Sequence, residues 1–73
     1  MQCSVKLIWD AETYKWHTET DEFLCMTLES YSFDVLIERV RVAAPEMVEL
    51  NSGYKGPIQL RFDIERVDEL GIS

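Results

Sequence analysis

The chain has 73 residues, 47% of them hydrophobic, and a formal net charge of −7. That hydrophobic share excludes a disordered tail, and the length allows one domain, residues 1–73, with a small core. The acidic balance disfavours direct nucleic-acid binding and suits a basic protein partner, although solubility alone is a plainer use of such charge.

The opening "MQCSVKLIW" has a single lysine and a short apolar run, which does not make a signal peptide, and no run in the chain reaches the length of a membrane span. A cytoplasmic protein is expected. "CSVKLIW" is rich in β-branched and aromatic residues and predicts a first strand, with Val5, Leu7 and Trp9 on one side and Lys6 and Ile8 on the other. "DAETY" breaks the pattern. Asp10 can bond its own backbone two residues on and so set a turn. "YKWHTE" predicts the return strand, with Tyr14, Trp16 and Thr18 on one face and Lys15, His17 and Glu19 on the other. After the polar break "TDE", the apolar run "FLCMTLE" predicts a third strand, completing an antiparallel meander.

From Ser32 the period changes. Phe33, Leu36, Ile37, Val40, Ala43, Ala44, Met47 and Val48 recur at helical spacing, with Glu38, Arg39, Arg41, Glu46 and Glu49 opposite. Ser32 is the expected N-cap, and Asp34 suits the first turn. Pro45 predicts a kink, or a break into a second short helix. "NSG" ends the helix, with Asn51 or Gly53 free to take positive φ. A last strand follows, in which Ile58, Leu60, Phe62 and Ile64 alternate with Gln59, Arg61, Asp63 and Glu65. "VDELGIS" is a tail with at most one helical turn. The order β-β-β-α-β predicts an α+β two-layer domain, one long helix covering one face of a mostly antiparallel sheet.

Chemistry is thinly signalled. Asp10, Glu38 and Asp63 lie on elements from which nucleases of the ribonuclease H type assemble magnesium ligands. Yet Asp63 and Glu38 fall on wet faces, and solvation accounts for both. His17 has no serine or cysteine to activate and reads as a surface strand residue. Cys3 and Cys25 lack metal spacing and read as buried free thiols. No catalytic residue, metal ligand or cofactor is expected. The aromatics Trp9, Tyr14 and Trp16 on the first hairpin serve core packing first, and an interface second.

Taken in order, these segments resemble a known family. "WDAETYKWHTETDEF" resembles the signature at the start of the small HicB-like antitoxin domains: tryptophan–aspartate, an acidic residue, then tryptophan. "LESYSFDVLIERV" resembles their passage from third strand to helix, and "APEMVELN" the end of that helix. The resemblance is to the short, stand-alone, uncharacterised group without a DNA-binding extension. Family members often carry proline-glycine-leucine entering the third strand; here those positions hold Leu24, Cys25 and Met26, which predicts a straighter strand.

The resemblance implies a truncated ribonuclease H-like fold without working nuclease acids. It implies an antitoxin-type, non-enzymatic domain that covers a small basic mRNA-cleaving toxin. Candidate interface residues are Trp9, Asp10, Glu12, Tyr14, Trp16 and Glu19. Two alternatives stand beside this reading: a homo-oligomeric domain whose partner is itself, and a degenerate nuclease. The last strand, long and regular, predicts an edge and at least a homodimer.

Overall fold

β-branched and aromatic residues form a long first strand, β1 (Gln2–Asp10), in the computed structural model, which describes residues 1–71. Its alternation is as the sequence predicts: Cys3, Val5 and Leu7 are fully buried, while Ser4 and Lys6 are exposed. The second strand, β2 (Lys15–Thr20), returns antiparallel with Trp9 opposite Trp16 and Val5 opposite Thr20. A two-residue strand, β3 (Glu29–Ser30), precedes the helix α1 (Phe33–Ser52), and β4 (Gln59–Glu65) closes the fold.

The expected helical stripe is the face that α1 buries. Leu36, Val40, Ala44 and Val48 are inaccessible to solvent or nearly so, and the other stripe residues, Phe33, Ile37, Ala43 and Met47, pack half-buried around them. The Ser32 hydroxyl caps the helix by accepting from the Val35 N–H at 3.3 Å. Gly53 ends it at φ 75°, where its N–H reaches the Glu49 carbonyl at 2.8 Å. Pro45 does not break the helix, which runs through it without interruption. The residue lies on the exposed side, where the carbonyl it leaves free meets water.

Other expectations change. The sheet, in the order β3-β2-β1-β4, is mixed: β1–β2 and β2–β3 are antiparallel, and β4 runs parallel to β1 over Gln2–Ile8. The cause is parity. β3 points the same way as β1, α1 runs back, and the next strand must again point with β1.

The run from Phe23 to Leu28 is a loop, and only Glu29 and Ser30 join the sheet, opposite His17 and Trp16. Threonine hydroxyls supply the bonds that a ladder would have supplied. Thr20 Oγ1 accepts from the Met26 N–H at 2.9 Å, and the buried Thr18 Oγ1 accepts from the Leu28 N–H at 3.0 Å. Leu24 and Met26 can therefore enter the core without strand geometry.

Cys25, expected in the core, is exposed, with φ 49°; Cys3 is the buried thiol. The straighter strand expected at this step does not form, because Cys25 takes a left-handed turn there. Tyr14 belongs to the turn, with φ 56°, not to β2. His17 is half-buried on the open face of the sheet, between Ile8 and Glu29. Residues 67–71 of the tail form no helical turn; Ile72 and Ser73 lie outside the described residues.

Candidate functional site

The turn between β1 and β2 is built by Asp10. Its carboxylate accepts the Glu12 N–H at 2.9 Å, closing the local turn that the sequence predicts. That bond, with a further contribution from the Thr13 hydroxyl, holds the Asp10 carboxyl below the ordinary carboxylate range. Four turn residues follow, and the last, Tyr14, takes positive φ so that the chain can re-enter the sheet at Lys15.

Register then gathers the aromatics. Trp9 and Trp16 face each other across the strands with ring centroids 5.2 Å apart. Phe33, in the first turn of α1, meets Trp16 edge-on at 5.0 Å, and Tyr14 meets Trp9 edge-on at 6.3 Å. Trp16 is thereby spent on the core and only 8% exposed, whereas Tyr14 is 69% exposed. Trp9 lies between these extremes.

Arg66 completes the corner. The parallel register sets Glu65 beside Ile8, so the next residue arrives over Trp9. The Arg66 guanidinium stands 4.4 Å from the Trp9 ring and 5.6 Å from Trp16, with its charge met by Asp68 at 2.9 Å. Trp9, Tyr14, Arg66, Val67 and Glu69 line an open cleft of about 530 Å³. The sequence places Asp68 in the tail "VDELGIS" and gives Arg66, just before it, no role. The only signal that could have found them is directional: a last strand parallel to β1 must end beside Trp9.

Of the six expected interface residues, the structure brings Trp9, Asp10, Glu12 and Tyr14 to one corner. Trp16 is there too but beneath the surface. Glu19 is not: it is opposite Lys6 on the open face of the sheet, about 10 Å along the strand from Trp16. The three acids of the nuclease alternative stay apart. Asp63 is opposite Lys6 on the open face, while Glu38 is on the helix, bonded to Arg41 at 3.3 Å. Among the described residues, no three histidine, cysteine or acidic side chains converge as metal ligands would. Burial pushes the Cys3 thiol up, and the nearby Asp21 carboxylate acts in the same direction.

Among the described residues, no helix is long and apolar enough to cross a membrane. No curated protein matches the chain. Among solved structures, the chain is similar to the crystal structure of a hypothetical protein, TTHA1013, from the extremely thermophilic bacterium Thermus thermophilus. The two are 25% identical over 96% of this chain and 100% of that one, with a TM-score of 0.76. A family model described as a domain of unknown function, DUF1902, matches residues 2–70. This match spans nearly the whole four-stranded domain, and the chain belongs to the DUF1902 family.

Proposed function

We propose that the domain is a non-enzymatic protein-binding module that caps a small basic RNA-cleaving protein in the cytoplasm, in the manner of the HicB-type antitoxins it resembles. On this reading the fold is a truncated ribonuclease H-like sheet from which the catalytic acids have gone. One observation carries the proposal: Tyr14 holds positive φ at 69% exposure, on a corner edged by Asp10, Glu12 and Glu69. The left-handed region costs a non-glycine residue about 1–2 kcal/mol, and glycine or asparagine would close this turn more cheaply. Strain of that kind clusters at functional sites, and at this one it carries into water a tyrosine, among the commonest interface anchors. Surrounding carboxylates suit a cationic partner and would speed its encounter.

The experiment is a pull-down at native expression level from the source cells, with the wild-type domain and Tyr14→Gly in parallel. Tyr14→Gly relieves the backbone and removes the anchor, so the variant should be at least as stable and retain about tenfold less of a small basic protein. Recovery of no basic protein, or equal recovery by both domains, overturns the reading. Magnesium titration followed by NMR addresses the nuclease alternative, which requires shifts at Asp10, Glu38 and Asp63.

A further inference from the structure

β4 is an edge of the sheet, and its outward side is regular over seven residues. The Gln59 N–H donates to the Met1 carbonyl at 2.8 Å, so the odd-numbered residues of β4 turn their backbone groups toward β1. Leu60, Phe62 and Ile64 therefore direct theirs outward, with no strand beyond them among the described residues. Their side chains form an incompletely covered apolar row: Leu60 and Phe62 are half-buried, and Ile64 is 61% exposed. On the opposite face Gln59, Arg61, Asp63 and Glu65 are all exposed.

We propose that this edge binds a second copy of the chain, β4 against β4 in antiparallel register about a two-fold axis at Phe62. The observation that selects this occupant is charge self-complementarity. With Phe62 opposite its own copy, Leu60 meets Ile64, Arg61 meets Asp63, and Gln59 meets Glu65 of the second chain. Leu60, Phe62 and Ile64, whose backbone groups face outward, become the hydrogen-bonded pairs. Arg61 and Asp63 become non-hydrogen-bonded pairs, in which side chains approach most closely. Arg61 and Asp63 already bond each other within one chain at 3.4 Å, and pairing exchanges that contact for the same contact across the axis. Moving the axis by one residue loses this match: centred on Arg61 it opposes two arginines, and centred on Asp63 two aspartates. A two-fold axis requires one patch to complement itself, and this register does so in charge, apolar contact and hydrogen bonding together.

The proposal does not depend on the partner-capping reading: it rests on the outward backbone and side chains of β4, whereas that reading rests on Tyr14 in the turn between β1 and β2. Its test is sedimentation and light scattering up to about 1 mM chain, the weak end of the affinity scale. The wild-type chain should dimerise. Arg61→Asp sets like charges opposite each other twice and should weaken the dimer about tenfold or more, and Arg61→Asp with Asp63→Arg should restore it. Ile64→Pro leaves every charge in place while removing an outward N–H and the isoleucine that would meet Leu60, a change tolerated on an edge strand, so it should give folded monomer. A wild-type monomer throughout, a dimer that survives both Arg61→Asp and Ile64→Pro, or a charge swap that does not restore association overturns it.

Discussion

Two loops of this domain are built on one plan and put to different ends. Each opens on an aspartate whose carboxylate accepts the N–H two residues on: Asp10 from Glu12 at 2.9 Å, and Asp21 from Phe23 at 3.1 Å. Each reaches a non-glycine residue of positive φ four positions after its aspartate, Tyr14 at 56° and Cys25 at 49°. The loop that begins at Asp21 faces inward. Leu24 and Met26 are buried, and Asn51 at the end of α1 donates to the Phe23 and Leu24 carbonyls at 3.0 and 3.1 Å. The loop that begins at Asp10 faces outward and carries an aromatic ring into water. A single backbone device thus serves the core in one place and a surface in the other. What separates them is which side chains each loop presents.

The sharpest way to break the symmetry is to remove each aspartate. Asp21 does more than set a turn: it also accepts from the Leu24 N–H at 3.3 Å and, across to β1, from the Ser4 N–H at 2.8 Å. Asp21→Ala leaves all three donors to find other partners and should destabilise the domain by about 2 kcal/mol. For a domain of this size that is a fall of roughly 8–16 °C in melting temperature. Asp10→Ala opens a turn at the surface, and its effect on the same measurement should be clearly smaller. Equal effects would mean that the loop starting at Asp21 is not the tie between sheet and helix that its bonds describe.

Introducing glycine tests the other half of the plan. Cys25 is exposed, so Cys25→Gly removes little packing while relieving the backbone, and should stabilise by about 1 kcal/mol. Tyr14→Gly should gain a comparable amount, less what the edge-on contact with Trp9 contributes. The loops should then part company in function. Capture of a basic partner should fall for Tyr14→Gly and stay unchanged for Cys25→Gly, because only Tyr14 stands on the proposed surface. Loss of stability in Cys25→Gly, measured by thermal melting, would contradict the strain assigned to this position.

The same contrast explains what was legible in the sequence. Elements with a local period were: the α1 stripe from Phe33 to Val48, its Ser32 and Gly53 ends, and the alternation of β4. The Trp9–Trp16 pair followed from a hairpin turn set by Asp10, again a local signal. The segment from Phe23 to Leu28 was not legible, because an apolar run enters the core equally well as strand or as loop. Groups outside the segment decide where its backbone bonds go: the Asp21 carboxylate and the Asn51 amide at its start, and the hydroxyls of Thr18 and Thr20 on β2 further along. Arg66 was hidden for a related reason. Its stacking on Trp9 depends on the parallel register of β4, which strand direction fixes and residue pattern does not. Trp16 and Tyr14 share one segment and looked alike as interface residues, yet burial separates them, because only Trp16 points toward Phe33.

The smallest expected effect concerns charge at the outward loop. The folded chain holds the Asp10 carboxyl below its ordinary value, chiefly through the Glu12 N–H, whereas the unfolded chain titrates it near about 3.9. The ionised form is thus favoured by folding. Its contribution is fully present above the unfolded value and drains away as pH falls through the lower folded one. Asp10→Asn keeps an oxygen to accept from Glu12 and removes only the charge. Melting temperatures of wild type and variant should therefore differ by a small constant amount at neutral pH and converge in acid. Convergence that begins well above about pH 5, or a gap that persists through the whole acid range, would assign the difference to the shape of the turn rather than to its carboxylate.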